Sequence, residues 1–345
     1  MDLRNQVHGA PRALRETLGK GSREFEEVVR RTRWGNGPLF IVGCGSSYAA
    51  ALTGTYAFEE LLGWPVVAAH AANFSHFTAS VLRPRSVVLV IAGAGESGEM
   101  IEVVRQARTR GASVLAMTTA GTHPVAEAAD AVFLIRTEEE QATGPQAELC
   151  LHAAMGYLGV VAARVLKRRH QKLDDLEREF QKLPEDAEWV LTRLPDAVKS
   201  LATAVGNQPE VVLAGGGYYY PAAVLAAAAL GSLGPIRSRA VDAAELVEGG
   251  VGAFAPQDVI VFLSGSRSRF RKPTAKFAQA AKRSGGRVFS VTDANDRELA
   301  EASSMALLLP MLNESPGSAL ALYFLQCLVV QVARGIVFPT QRTGQ

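Results

Sequence analysis

The chain has 345 residues, of which 48% are hydrophobic, and its 36 basic and 34 acidic side chains give a net charge of +2. This length and apolar content suffice for two ordinary cores, while the balanced charge does not favour nucleic-acid binding, which needs lysine and arginine on one face. Three widely spaced cysteines lack the ligand spacing of a zinc site and fit a reducing cytoplasm. No metal or cofactor is predicted.

The N-terminal 35 residues are predicted to form helices that precede the first strand. Pro11 suits an early helical position, and the stretch lacks the apolar core of a signal peptide. The alanine-rich run at 222–230 is too short to span a bilayer. We therefore expect no membrane segment.

Short apolar strands alternate with helical patterns along the rest of the chain. This alternation is typical of a parallel sheet covered by helices on both faces. The expected strands lie near 38–43, 65–69, 86–91, 113–117 and 131–135, and then near 211–214, 235–239, 258–263, 287–291 and 305–309.

Between the two sets of strands the sequence predicts a long helix from Pro145 to Lys167 and a charged helical connector over 172–180. Leu183-Pro184 is expected to break the connector before the second unit, because proline disfavours a helix interior. The predicted division is as follows: N-terminal helices 1–35, first domain 36–170, connector 171–200 and second domain 201–345.

The two halves repeat one another. The segment Phe40–Ala51, with its glycine turn, has a counterpart about 170 positions later in Val212–Ala223, and the following strands keep nearly the same offset. A strand, a glycine turn and a helix in succession expose backbone N–H groups that can hold an anion. In parallel sheets such turns lie at the carboxyl edge, where ligands bind.

Gly43-Cys44-Gly45-Ser46-Ser47, Gly95-Glu96-Ser97 and Ala244-Glu245-Leu246 fall in an order that resembles the sugar isomerase (SIS) family. The likeness covers essentially the whole chain and is greatest to the isomerase half of glucosamine-6-phosphate synthases and to related phosphosugar isomerases and deglycases. It implies an α/β fold of two tandem flavodoxin-like SIS sandwiches and a homodimer. Because Met1-Asp2 opens directly on the isomerase-like region, glutamine-dependent amination by this chain alone is not expected.

The resemblance also implies a phosphosugar site. The family holds phosphate with hydroxyls and amides of two loops, which correspond here to Cys44, Gly45, Ser46 and Ser47 and to Ala92, Gly93, Ala94, Gly95, Glu96 and Ser97. Alanines 92 and 94 replace two expected hydroxyls, each worth about 1–3 kcal/mol to a charged ligand. Phosphate binding is therefore expected to be weakened. The alternative is that Ser46 and Ser97 only cap helices.

The family's acid and base residues are largely replaced. Ser232 stands at the position of the base glutamate, Ala229 at that of a lysine, and Glu248 at that of the ring-opening histidine. All six histidines lie in the first half of the chain: His8, His70, His76, His123, His152 and His170. A synthase-type isomerase mechanism is therefore not expected.

Glu245 and Glu248 are the remaining catalytic candidates. Three residues apart, they would share one face of a helix and could divide acid and base work beside a sugar. The alternative is that Glu245 is structural and Glu248 is a solvated turn residue. Tyr218-Tyr219-Tyr220 could stack on a sugar ring, although surface packing of at least two of the three is favoured.

These observations predict a divergent phosphosugar isomerase or deglycase, and the alternative is a noncatalytic phosphosugar-binding protein. A dinucleotide-dependent oxidoreductase is the weaker third interpretation. It requires a third glycine in the first turn, where Tyr48 stands, and an acidic residue after the second strand, which ends in Ala68-Ala69-His70.

Overall fold

The structure, a computed structural model of the protein, describes most of the chain. The described residues are 2–35, 37–93, 98–122, 124–138, 144–206, 208, 210–234, 236–245 and 258–335.

The first unit contains one five-stranded parallel sheet. Its strands are β1 (Leu39–Gly43), β2 (Val66–His70), β3 (Val87–Ala92), β4 (Ser113–Thr118) and β5 (Ala131–Leu134). They lie in the order β2-β1-β3-β4-β5, and every neighbouring pair is parallel. All residues of β1 and β3 are buried, as their continuous apolar sequences predict. The strand order reverses direction between β1 and β3.

The second unit repeats this sheet. Its strands are β6 (Glu210–Gly215), β7 (Arg237–Asp242), β8 (Val259–Leu263), β9 (Arg287–Asp293) and β10 (Met305–Leu309). The order β10-β9-β8-β6-β7 is the order of the first sheet when the strands are counted from β6. The predicted fold class, two tandem α/β units with parallel sheets, is confirmed.

Helices cover both sheets. The first unit and its N-terminal extension carry α1 (Leu3–Arg15), a π-helical turn (Glu16–Lys20), α2 (Gly21–Arg31), α3 (Ser46–Leu62), α4 (Ala71–His76), a 3-10 turn (Thr78–Val81), α5 (Gly98–Thr109), α6 (Pro124–Ala128) and α7 (Pro145–Val165). They are followed by α8 (Leu173–Arg193), α9 (Pro195–Gly206), α10 (Tyr219–Ser232), α11 (Arg271–Arg283), α12 (Arg297–Ala302) and α13 (Glu314–Gly335).

The two units share one core. Helices α3 and α7 of the first unit and α10 and α13 of the second contribute to the same cluster of buried side chains. Helix α13 runs antiparallel to α7, since Gln326 Nε2 donates to the Pro145 carbonyl at 2.8 Å while Ser318 Oγ lies 3.0 Å from His152 Nε2. The N-terminal helix joins the same core, where Tyr323 Oη donates to the Val7 carbonyl at 3.0 Å.

The predicted break at Leu183-Pro184 is wrong. Helix α8 continues through Pro184 to Arg193. Leu176, Phe180 and Leu183 form one buried stripe that continues beyond the proline, so tertiary packing offsets the lost backbone hydrogen bond.

Two helices, α7 and α13, are long and apolar enough to cross a membrane by length and composition. Their most apolar windows are 83% and 78% buried inside the structure. Helices of this kind that are hydrophobic all round are typical of the centre of a folded core.

Candidate functional site

The first candidate element is the β1 loop, Cys44–Ser47, between β1 and α3. Gly45 has a φ of 53°, a conformation that glycine adopts without strain. The Ser47 amide donates to the Cys44 carbonyl at 3.0 Å, and the Tyr48 amide donates to the Gly45 carbonyl at 3.1 Å. The amides of Gly45 and Ser46 have no acceptor in the described part of the chain, so the loop presents unpaired donors at the start of a helix.

Ser46 and Ser47 do not cap α3. Gly45 is the residue at the N-cap position, and no side chain bonds to the helix start. Within the described ranges neither serine hydroxyl has a hydrogen-bond partner, although Ser47 is only 7% exposed. For Ser46 the capping alternative is therefore wrong, and both hydroxyls are available to a ligand.

The second candidate element is the β3 loop. Ala92 is buried at the end of β3 and Gly93 is half-buried, whereas Ala94, Gly95, Glu96 and Ser97 lie outside the described residues. Because Val42 pairs with Val90 in the parallel sheet, both loops leave the same edge at the point where the strand order reverses. This is where open α/β sheets bind ligands.

A carboxylate that the sequence reasoning missed lies beside the β1 loop. Glu99, in the first turn of α5, places Oε2 at 3.9 Å from Cys44 Sγ. Helix α5 begins after the β3 loop, so the contact between Glu99 and Cys44 brings the start of this helix next to the β1 loop. No local motif marks this residue, because its proximity depends on the pairing of β1 with β3.

The second unit contributes the candidate Glu245, which is exposed and follows the carboxyl end of β7; Glu248 lies outside the described residues. Just before it, Asp242 Oδ1 accepts a hydrogen bond from the Ala244 amide at 2.9 Å. Burial raises the pKa of Tyr220, and the negative charges of Asp242 and Glu245 and the nearby Tyr48 add to the increase. Tyr220 thus lies near Glu245 of the second unit and near Tyr48, the residue that follows Ser47 in the first.

Aromatic rings line this junction between the units. Tyr48 stacks on His70 with 4.0 Å between ring centroids, and Tyr56 packs edge-on against Tyr218 at 5.5 Å. Burial, together with the charge of Asp242, raises the pKa of Tyr56 to about 12. The two residues of each ring pair are far apart in sequence, so the sequence alone did not predict these contacts.

Two of the three consecutive tyrosines are buried, and the favoured interpretation of surface packing is wrong for them. Tyr218 and Tyr219 are 2% and 4% exposed, while Tyr220 is half-buried and faces the junction. Tyr218 Oη donates to Glu60 Oε2 of α3 at 3.0 Å, and Arg269 donates to the other oxygen of Glu60 at 2.5 Å. Only Tyr220 remains available to stack on a ligand.

The corresponding edge of the second sheet is occupied by the protein itself. Glu314 Oε1 accepts hydrogen bonds from Ser268 Oγ at 2.9 Å and from the Arg269 amide at 3.0 Å. These donors follow β8, as the β3 loop follows β3. Burial raises the pKa of Glu314, while the two hydrogen bonds and Arg269 oppose the increase. In the second unit the Glu314 carboxylate thus occupies the donors after β8 that a ligand could otherwise use.

No group of three or more His, Cys, Asp or Glu side chains in the described ranges could hold a metal ion. The site is therefore built from serine hydroxyls, loop amides, carboxylates and tyrosines. This donor set suits a polar anionic ligand with hydroxyl groups.

The fold and the position of this site define a tandem α/β protein of the kind that binds ligands at the carboxyl edge of its sheet. The SIS domain model matches residues 36–157 and 206–333, and the chain belongs to the SIS family.

Relatives share this region at low identity. Glutamine–fructose-6-phosphate aminotransferase [isomerizing] of Clostridium tetani is 23% identical over 314 residues, covering 88% of this chain and 51% of that protein. The enzyme of the same name from Symbiobacterium thermophilum is 27% identical over 350 residues, covering 95% of this chain and 55% of that protein. The chain thus spans about half the length of these relatives.

Solved structures show the same fold. The C-terminal domain of glucosamine-fructose-6-phosphate aminotransferase from Francisella tularensis superposes with a TM-score of 0.85 at 19% identity, covering 96% of this chain and 95% of that one. Tagatose-6-phosphate ketose/aldose isomerase from Escherichia coli gives a TM-score of 0.75 at 16% identity, covering 98% and 96% of the two chains.

Proposed function

We propose that the chain binds a phosphorylated sugar or amino sugar at the carboxyl edge of the first sheet and acts on it as a divergent isomerase or deglycase. The observation that carries the proposal is the β1 loop, where the amides of Gly45 and Ser46 and the hydroxyls of Ser46 and Ser47 lack partners within the described ranges. Unpaired donors at a helix N-terminus favour a phosphate. Membership of the SIS family and the sugar-phosphate names of its relatives support this ligand class.

For the chemistry we propose Glu245 and Glu248. In an aldose–ketose conversion a carboxylate takes the proton from one carbon of the opened sugar and returns it to the neighbouring carbon, so no oxidant or reductant is consumed. The negative charge of Glu245 contributes to the raised pKa of Tyr220, and Tyr220 in turn lies near Tyr48 beside the β1 loop. Ser232, at the family's base position, donates its hydroxyl to the Ala229 carbonyl at 2.7 Å, which supports the use of a different base.

The second candidate function is a noncatalytic phosphosugar-binding protein. It is favoured by the exposure of Glu245, since a solvated carboxylate lacks the environment that usually tunes a catalytic acid or base. The variants Glu245→Gln and Glu248→Gln discriminate the two functions. Turnover is abolished under the first, whereas under the second no turnover exists and ligand affinity stays within a few-fold of the wild type.

We further propose a cytoplasmic homodimer, with the domain boundaries given by the sequence. Cys44, Cys150 and Cys327 are free thiols, which fits a reducing compartment. Phe77 and Val81 are 72% and 57% exposed close to β2, an edge strand of the first sheet, and form an apolar surface that a second copy can cover. Light scattering of Phe77→Asp tests this surface, since a dimer held there becomes a monomer and an unchanged mass rejects it.

The ligand class is tested by a thermal-shift screen of hexose 6-phosphates, amino-sugar 6-phosphates and ketosamine phosphates beside the unphosphorylated sugars. A ligand that binds only the folded state stabilises it by about 2.7 kcal/mol at a hundred times its Kd. We expect selective stabilisation by a phosphorylated compound. An absence of response from all phosphosugars overturns the proposed function and leaves the fold assignment intact.

A further inference from the structure

Helices α3 and α7 meet along one seam whose register is fixed by three contacts. Thr53 Oγ1 lies 3.0 Å from His152 Nδ1. Further along, Gly54 is so close to Met155, and Gly159 to Ala57, that an added methyl group at either glycine would overlap its neighbour. Both helices begin at the carboxyl edge of the same sheet and run in the same direction.

Glu148 is at the open end of this seam. It lies one helical turn before His152 on α7, and the positions Glu148, His152, Met155 and Gly159 follow the 4-3-4 spacing of one helix face. On α3 the facing stripe has the same spacing and consists of Ser46, Ala50, Thr53 and Ala57. Each turn rises about 5.4 Å, so the register places Glu148 level with the first turn of α3, next to the β1 loop.

The side chain of Glu148 is half-buried, and its carboxyl group has no hydrogen bond or ion pair in the described part of the chain. Burial alone raises its pKa to about 7. Helices α1, α3 and α13 pack against α7 and carry, among other titratable or charged groups, His8, Arg12, Tyr48, Tyr323 and Cys327, while Cys150 and His152 lie on α7 itself. None of these groups contributes to the increase in the pKa of Glu148. Glu139 and Glu140 lie outside the described residues.

Two buried polar side chains of the core, unlike Glu148, have hydrogen-bond partners. Gln146, half a turn earlier, accepts a hydrogen bond from the Glu138 amide at 2.9 Å and donates to the Gln6 carbonyl at 3.5 Å. Glu314 is likewise satisfied by two donors. A half-buried carboxyl group that no donor stabilises has a raised pKa, and such perturbed groups concentrate at ligand sites.

We propose that Glu148 contacts the anionic ligand held on the β1 loop and donates a hydrogen bond to it from a protonated carboxyl group. This rests on the proposed function, since it names an additional residue of the same site. In its ionised form the group would repel a bound dianion, so binding is accompanied by uptake of a proton on Glu148. The residue therefore makes ligand affinity depend on pH.

The expected magnitude follows from the titration. With a pKa of about 7, the protonated form predominates by roughly ten to one at pH 6 and is outnumbered by the same factor at pH 8. If only the protonated form accepts the anion, affinity falls about tenfold from pH 6 to pH 8. A glutamine at this position keeps a hydrogen-bond donor and loses the titration.

The test is calorimetric binding by the full chain at pH 6, 7 and 8, with sulfate and glucosamine 6-phosphate as probes. Sulfate keeps its charge across this range, so any proton uptake belongs to the protein. Wild type, Glu148→Gln and Glu138→Gln are compared, and the last is the control because the Glu138 carboxyl group already has a partner, Arg12, at 3.9 Å. Buffers of different ionisation enthalpy report the number of protons taken up.

We expect wild type and Glu138→Gln to lose about tenfold in sulfate affinity from pH 6 to pH 8, while Glu148→Gln binds with little pH dependence and no proton uptake. Equal pH dependence in wild type and Glu148→Gln overturns the role of Glu148 and leaves phosphosugar binding standing. If wild type binds neither probe at any pH, the proposed function fails, and the role of Glu148 fails with it.

Discussion

His152 Nε2 lies 3.0 Å from Ser318 Oγ, so a histidine of the first unit is bonded to a serine of the second. Its other ring nitrogen lies 3.0 Å from Thr53 Oγ1. The ring is fully buried between α3 and α13, and burial lowers its pKa to about 4. The neutral imidazole therefore joins the two units, and protonation opposes this contact.

The first prediction concerns acid stability. Because the folded pKa of His152 is below the ordinary value near 6.5, its contribution is complete above that value and is lost as pH falls toward 4. At pH 5 the loss is about 2 kcal/mol relative to pH 7.5. Urea unfolding of wild type and His152→Gln at both pH values measures it. The glutamine variant is expected to lose about 2 kcal/mol less than wild type, and identical pH dependence would contradict the assignment.

The second prediction concerns the β1 loop. A Cβ atom at Gly43 would lie 2.5 Å from the Ser47 carbonyl carbon, so Gly43→Ala must displace the start of α3. We expect a loss of about 2 kcal/mol in stability, by overpacking, and weaker ligand binding. Gly98→Ala is the matched control, because an added methyl group there meets no atom within 4 Å. Thermal unfolding of both variants decides, and equal Tm values would disprove the close approach.

The third prediction concerns the link between Tyr218 and Glu60. Tyr218→Phe removes a hydrogen bond to a carboxylate that retains Arg269, and the expected cost is about 1–2 kcal/mol in the free energy of unfolding. Tyr220→Phe serves as the control, with an expected change below about 0.5 kcal/mol. Denaturant titrations of the two variants should separate them. Equal effects would mean that the hydroxyl of Tyr218 does not stabilise the junction.

The fourth prediction separates binding from stability at the two serines. Ser46→Ala and Ser47→Ala remove hydroxyls that do not cap α3, so stability should stay within about 0.5 kcal/mol of the wild type. Each is expected to reduce phosphosugar affinity by about 1–3 kcal/mol, or five- to 150-fold. Thr55→Ala, further along the same helix, is the control for helix effects, since Thr55 Oγ1 donates to the Ala51 carbonyl at 3.2 Å. Unchanged affinity in both serine variants would remove them from the site.

The strands were predictable because buried parallel strands carry a continuous local signal. The apolar runs at Leu39–Gly43 and Val259–Leu263 are fully buried, as their composition requires. The path through Pro184 was not predictable in this way, since the packing that maintains α8 comes from residues distant in sequence. Propensity is a local quantity, and tertiary contacts overrode it there.

The site was only partly predictable for the same reason. The β1 loop is a contiguous motif and could be identified from the sequence. Glu99 reaches the loop through the pairing of two strands, and the proposed role of Glu148 depends on the register of two helices. Neither relationship leaves a pattern in neighbouring residues. Tyr218 shows the opposite case. It belongs to a conspicuous run of three tyrosines that suggested a ligand contact, but its hydroxyl donates to Glu60 and so joins the two units.

The antiparallel packing of α7 and α13 has a consequence for the origin of the duplication. The Pro145–Gln326 contact at one end of the helix pair matches the approach of Gly156 to Ser315 at the other, as a two-fold axis would require. A single-copy ancestor would have exposed the apolar face of its last helix to water, and pairing with an identical chain is the symmetric way to bury it. Fusion of the two genes would then have allowed the halves to diverge, the first keeping unpaired donors in its β1 loop and the second bonding the donors that follow β8 to its own Glu314.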